Sequence, residues 1–297
     1  MLESYISKTL LPKDLKLVQI KRSVKKEYKV SSGFLYKVYF EQIEHKLKER
    51  KGVHWPEVLG IDEHFFSRSK GYREFVTMFT DLRKRKMFEV SLGRSNKDLI
   101  HQVDKIPGRE KVKLISIDMS GTYKSFVKLM FPNAQIISDK FHVLRLLNPA
   151  IMSAGKKIVG HRQELKIRRR LLNSRVNLDY WMRADIDFYL KDKPELKELY
   201  QFKEKLFELY RMKGFNKAKL KLEKLIERMK VSKLEAIKKL GRTLNRWKNE
   251  VVNYFRHKLT NAFTEAMNNT GKLVQKQAYG YKSFVNYRLR LLSACFY

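Results

Sequence analysis

Three aspartates stand where apolar runs end. Lys113-Leu-Ile-Ser-Ile-Asp118 brings a β-branched stretch straight into a carboxylate, and Ser120, Gly121 and Thr122 then break the strand ahead of an apolar-periodic helix. Asp62 lies inside Val58-Leu-Gly-Ile-Asp-Glu63, and Asp139 follows Ala134-Gln-Ile-Ile-Ser138. In an open α/β sheet, functional groups gather at the carboxyl ends of strands. Carboxylate oxygens suit hard divalent cations, and Mg²⁺ keeps several of its waters, so a few carboxylates suffice. Two such ions about 4 Å apart can clamp the attacking and leaving oxygens of a phosphodiester. A lone aspartate at a strand end is more commonly a turn or cap residue. Asp62 resists that reading, because it sits among Leu59, Ile61, Phe65 and Phe66, where an uncompensated carboxylate is costly. Asp139 reads equally well as the N-cap of the helix it opens.

The elements that must position these acids follow from periodicity. Val58 to Phe66, Phe75 to Asp81 and Met87 to Ser91 read as three strands, with Ser67 to Gly71 and Leu82-Arg-Lys-Arg85 as turns. Ser95-Asn-Lys-Asp98 fits a capping box that opens a helix ending before Pro107. Strand four is Lys113 to Ile117, a helix spans about Lys124 to Met130, strand five is Ala134 to Ser138, and a helix starts at Asp139. The order βββαβαβα predicts a mixed five-stranded sheet, three strands antiparallel and two parallel, in the order of the ribonuclease H fold. In that fold strands one and four lie side by side, which would make Asp62 and Asp118 neighbours.

Flanking this α/β core, the pattern is helical. Residues 1–55 are basic, and Val30 to Tyr39 reads as a cap, Ser31 or Ser32, followed by an amphipathic helix. It could be the recognition helix of a helix-turn-helix, although a packing helix is commoner. Lys46 to Lys51 reads as a basic linker. From about Leu144 to Lys258 there is no strand pattern. Pro194 suits a first helical turn, Gly214 the C-cap of that helix, and Gly241 a further break. Trp181 and Trp247 in this stretch read as core residues rather than base-stacking platforms.

Composition narrows the partner. The 297 residues carry 65 Lys and Arg against 31 Asp and Glu, a net charge of +34, which points to a polyanion. No apolar run approaches the roughly 18 residues of a membrane span, and no signal-peptide core is evident, so a cytoplasmic, nucleoid-associated protein is expected, with no membrane partner. Cys295 is the only cysteine, which excludes internal disulfides and a thiolate zinc site.

Four stretches together resemble the DDE transposases of bacterial insertion sequences, in particular the ISL3 family. They are Val58-Leu-Gly-Ile-Asp-Glu63, Ile117-Asp-Met-Ser-Gly-Thr-Tyr123, Phe131-Pro-Asn-Ala-Gln-Ile-Ile-Ser-Asp-Lys-Phe-His-Val143, and Asn261-Ala-Phe-Thr-Glu-Ala-Met-Asn-Asn269 with Gln277-Ala-Tyr-Gly280 behind it. The resemblance implies a ribonuclease H-like core over residues 56–148, an all-helical insertion over 149–258, and the last core helices over 259–297. It implies a catalytic, metal-binding triad of Asp62, Asp118 and Glu265 holding two Mg²⁺ ions, with Mn²⁺ able to substitute. By spacing alone Glu265 reads as a surface glutamate, with Glu235 and Glu250 as rivals. The implied partner is double-stranded DNA with terminal inverted repeats, cleaved and joined by an enzyme that is a homo-oligomer on that DNA.

Supporting roles are assigned more loosely. Asp139 and His142 belong to a family hallmark and are expected beside the triad, as are Asn268 and Asn269. Lys272, one turn past them, is expected to contact DNA phosphates. Lys166, Arg168, Arg169, Arg170 and Arg175 form the densest basic cluster and are expected to contact phosphates, which positions DNA without reading it. Two features depart from the family pattern. The usual N-terminal cysteine-rich zinc stretch is not in this sequence, as in a truncated copy, and Ala262 and Ala266 stand where glycines flank the last acid. The alternatives are a non-catalytic, transposase-derived DNA-binding protein and a ribonuclease H-like nuclease without strand transfer.

Overall fold

The computed structural model describes residue 29 and residues 31–48, 53–69, 72–159, 165–281 and 283–294. Expectations placed on residues 1–28, on the 49–51 end of the basic linker, on the turn at 70–71 and on Cys295 lie outside the described residues. Five strands form one mixed sheet: β1 (Val58–Ser69), β2 (Tyr72–Asp81), β3 (Lys86–Leu92), β4 (Leu114–Ile117) and β5 (Gln135–Ser138). Their order is β3-β2-β1-β4-β5, so β1 and β4 are neighbours. The chain divides into two compact units. One comprises the chain up to Ile115, Gly121–Ala134 and the stretch from Asn261; the other comprises Ser116–Ser120 and Gln135–Thr260.

In the first unit, β1 and β2 pair antiparallel with Asp62 opposite Met78, and β2 pairs antiparallel with β3. Both β1 and β2 outrun the sequence reading. Pairing resumes past a bulge at Phe65/Ser67, and Ser67 Oγ donates to Glu74 Oε2 across it. Val76 and Met78, alternate residues of β2, and Met87 and Val90 of β3, which flank the register shift opposite Phe79/Thr80, bury one face against Tyr287, Leu291 and Leu292 of α13 (Phe284–Ala294). Trp55 packs between Phe79, Phe88 and Phe131. The capping box forms as the sequence indicates: Ser95 Oγ accepts from Asp98 N and opens α2 (Asn96–Val103). α3 (Gly121–Met130) starts three residues earlier than its periodicity suggested. α1 (Ser32–Lys48) has Ser31 Oγ accepting from Phe34 N, and it runs through the start of the expected linker. It buries Leu35, Val38, Tyr39 and Ile43, and Arg290 of α13 donates to the Tyr39 hydroxyl. This face of α1 packs against α13.

The second unit is helical after β5. It contains α4 (Lys140–Arg145), α5 (Asn148–Val159), α6 (Leu165–Leu172), α7 (Tyr180–Tyr189), α8 (Pro194–Arg211), α9 (Phe215–Lys230), α10 (Glu235–Arg246) and α11 (Lys248–His257). Leu196, Leu199, Tyr200, Lys203, Leu206 and Tyr210 form the buried stripe of α8 at helical spacing. The two glycines differ from expectation. α8 ends at Arg211, and Gly214, at φ +93°, instead leads into α9. Gly241 breaks nothing: it lies inside α10, where a Cβ would sit 2.9 Å from Met229 Cβ, so glycine lets α10 close on α9. Trp247 is core, but Trp181 is 76% exposed beside Tyr180.

Candidate functional site

Asp62 is held by a helix that packs through polar groups. α12 (Ala262–Gln277) presents Asn261, Thr264, Asn268, Gly271 and Gln275 along one stripe. Gly60 makes the approach possible: a Cβ there would lie 2.2 Å from Thr264 Oγ1 and 2.7 Å from both Asn261 Oδ1 and Thr80 Oγ1. Three carboxamides at seven-residue spacing donate to β1 carbonyls. Asn261 Nδ2 reaches Ile61 O at 2.9 Å, Asn268 Nδ2 reaches Glu63 O at 3.3 Å, and Gln275 Nε2 reaches Phe66 O at 3.0 Å. Buried carbonyls off the regular ladder need such partners.

Asn268, only 2% exposed, also donates from Nδ2 to Asp62 Oδ2 at 2.7 Å. That fixes its amide orientation, so Asn268 Oδ1 must accept at 3.1 Å from His64 Nδ1. His64 Nε2 is then the acceptor for the Tyr287 hydroxyl at 2.9 Å. The result is a directed chain, Tyr287 to His64 to Asn268 to Asp62. Burial lowers the His64 pKa to about 4, with a smaller push from the Lys272 charge, so the ring is neutral at pH 7. Asp62 Oδ1 accepts from Glu63 N at 2.8 Å. Neither of these two donors to Asp62 carries a charge. Glu63 points to the other face of β1. There it accepts from the Tyr123 hydroxyl at 2.5 Å and pairs with Arg94 at 3.0 Å, so it serves structure.

Glu265 lies in the first turn of α12, one residue past the buried Thr264, and is half-buried. Asn269 and Lys272 are exposed, whereas Asn268 is inside. The asparagine pair thus splits between two environments. The heptad spacing of 261, 268 and 275 was the available signal for this polar seam.

In the second unit, Asp118 is half-buried, and its Oδ1 accepts from Ser120 N at 3.2 Å. Asp139 is 2% exposed and is the N-cap of α4. Its Oδ2 accepts from Phe141 N, His142 N and His142 Nδ1 at 3.0–3.2 Å. The basic cluster does not stand together. Arg168 has no exposed surface and packs its methylenes against Gly155, so it is not placed to touch phosphate as its neighbours suggested. Arg170 pairs with Asp185. Arg175 grips Asp187 through two hydrogen bonds of 2.8 and 2.7 Å, which hold its guanidinium firmly charged. Lys166 and Arg169 are exposed.

Among the described residues, no three of His, Cys, Asp and Glu group closely enough to hold a metal ion. The donor chemistry of Asp62, Asp118 and Glu265 nonetheless fits a hard divalent cation, since all three are half-buried carboxylates. Among the described residues no helix is long and apolar enough to cross a membrane.

The fold is of the α/β class, a mixed sheet with Asp62 within β1, Asp118 and Asp139 just past β4 and β5, and a helix carrying a further acid. The chain belongs to the ISL3 family of DDE transposases, whose profile matches residues 59–291. It is 25% identical over 249 residues to the transposase for insertion sequence element IS1001 of Bordetella parapertussis, covering 80% of this chain and 61% of that protein. The chain thus spans less than two thirds of the length of that relative.

Proposed function

We propose that the protein is a divalent-metal-dependent transposase that cleaves and joins double-stranded DNA at the inverted-repeat ends of an insertion sequence, acting as a homo-oligomer on that DNA. The observation that carries this reading is the brace on Asp62, which ties its carboxylate to the helix that bears Glu265. Strand order supports a ribonuclease H-like core, since β1 and β4 are neighbours. Asp62, Asp118 and Glu265 would hold two Mg²⁺ ions, which when bound supply charge stabilisation at the attacking and leaving oxygens. Asn268 keeps the Asp62 carboxylate oriented, and the neutral His64 keeps Asn268 from turning. Exposed cations such as Lys166, Arg169 and Lys272 would bind phosphates. With six to ten such contacts, affinity should fall by about 10³–10⁵ between 50 and 200 mM salt.

Asp62→Asn, Asp118→Asn and Glu265→Gln test the reading. Each should nearly abolish Mg²⁺-dependent cleavage of DNA from the flanks of the gene, non-additively, while DNA binding survives. Glu235→Gln is the control, because Glu235 is exposed and pairs with the exposed Arg242. Glu250, 9% exposed, would confound the comparison with folding effects. Parent-like cleavage by all three variants refutes the metal site. A parent that never cleaves with Mg²⁺ or Mn²⁺ favours the non-catalytic DNA-binding alternative.

A further inference from the structure

The Asp139-Lys140-Phe141-His142 turn opens onto a cavity of about 420 Å³ that lies wholly in the second unit. The cavity is lined by α4, the start of α5, the turn after α6 and the end of α8. Its volume falls at the low end of the range for small-ligand pockets, too small for a duplex. Lys140, Arg145 and Arg211 contribute three cations, and among the described residues no carboxylate lines it. Arg211 is anchored on the wall by donating to Ser174 Oγ at 3.1 Å. Phe141, Phe207 and Tyr210 supply aromatic surface.

Two buried polar atoms on this wall have no hydrogen-bond partner among the described residues. Tyr210 is 5% exposed, and its hydroxyl is unpaired; the Oδ1 of Asn148 is likewise buried and unpaired. A buried donor and a buried acceptor left unmade are each costly, so their persistence at one cavity calls for an occupant that satisfies both. Burial and the nearby charge of Asp139 push the Tyr210 phenol well above its usual range, so it stays an O–H donor at neutral pH.

We propose that this cavity holds one unpaired nucleotide of a DNA strand. Its phosphate would meet the three cations, its base would lie against the aromatic wall, and the base edge would donate to Asn148 Oδ1 and accept from Tyr210. A single nucleotide combines an anion, a planar face and a hydrogen-bonding edge at this volume. The proposal rests on DNA being the substrate, and the net charge of +34 favours a strand over a free mononucleotide as the source.

The test uses the full chain and three probes: a fully paired duplex, the same duplex carrying one unpaired adenine nucleotide, and deoxyadenosine 5′-monophosphate alone. The parent should bind the unpaired-nucleotide duplex at least tenfold tighter than the paired one in fluorescence anisotropy. Tyr210→Phe and Asn148→Asp should lose that gain while binding paired duplex as the parent does. Tyr210→Phe should keep the parental melting temperature, because it removes only the unbonded hydroxyl, and Asn148→Asp loses the gain because it replaces the carboxamide with a repelling carboxylate beside the phosphate site. Equal parental affinity for the two duplexes overturns the proposal, as does a gain that survives both substitutions. Binding of the free mononucleotide without any gain on DNA also overturns it and reassigns the pocket. Failure to bind any duplex overturns the DNA reading itself.

Discussion

Gly60→Ala should disturb the candidate site without touching an acid. The added Cβ would lie 2.2 Å from Thr264 Oγ1, and 2.7 Å from Asn261 Oδ1 and Thr80 Oγ1. A comfortable C···O contact is about 3.3 Å, so roughly 1 Å of separation must be found. Two of the three atoms belong to the start of α12 and the third to β2, so rotating one side chain does not relieve all of them. Overpacking of this kind costs about 1–3 kcal/mol. The easiest relief moves the first turn of α12 outward, and Glu265 is in that turn. A displacement of about 1 Å at a reacting centre can cost around 10²-fold in rate. Urea unfolding should therefore show a loss of about 2 kcal/mol, and Mg²⁺-dependent cleavage a far larger loss than that stability change predicts. Thr264→Ala removes the closest atom and breaks the 2.7 Å bond to Thr80, costing about 1 kcal/mol alone. The double variant should be more stable than the sum of the singles by about 1 kcal/mol or more. A Gly60→Ala protein within about 0.5 kcal/mol of the parent, cleaving normally, would refute the close seam.

Three further expectations follow. His64 has its pKa lowered from 6.5 to about 4, so between those values the folded protein binds fewer protons than the unfolded chain, and stability rises with pH across that window. The gap of 2.5 units bounds the effect at about 3 kcal/mol, and His64→Gln should flatten the stability profile measured by urea between pH 4.5 and 7. Arg168→Ala should lower the melting temperature, whereas Lys166→Ala and Arg169→Ala should leave it alone and each reduce the slope of log affinity against log salt by about 1. Trp247→Ala should cost about 3–5 kcal/mol by chemical denaturation, and Trp181→Ala less than about 0.5, because only the former is buried.

Much of the architecture was legible because local rules and tertiary packing agree there. Ser95 and Asp98 carry their capping box in four residues, and the apolar runs ending in Asp118 and Asp139 mark the ends of β4 and β5 directly, whereas the run ending in Asp62 stops midway along β1. The misread positions share a different cause. Gly241 permits close packing rather than a break, a distinction that depends on Met229 across the interface. Arg168 sits in a run of three arginines, and helical rotation alone sends it inward while Arg169 stays out. Trp181 looks like core by residue type, but α7 presents it to solvent at 76% exposure. The α12 seam was hidden because polar residues read as solvated, although their spacing was helical.

That seam also bears on why the helix is polar where an apolar face would pack as well. An apolar stripe against a strand is tolerant of sliding, since leucines and valines exchange partners at little cost. Carboxamides at 261, 268 and 275 meet carbonyls at 61, 63 and 66, and a shift of α12 by one turn would strand all three donors. Each unsatisfied buried group costs about 1–3 kcal/mol, so the correct register is separated from the next by several kcal/mol. Glycine at 60 and at 271, where a Cβ would fall 2.5 Å from the Tyr287 hydroxyl, brings the helix close enough for these short side chains to reach. Hydrophobic burial holds α13 beneath the sheet, while hydrogen bonding sets α12 along β1. Fixing the position of a helix that bears one carboxylate, relative to a strand that bears another, is the property a two-carboxylate site needs before any ligand arrives.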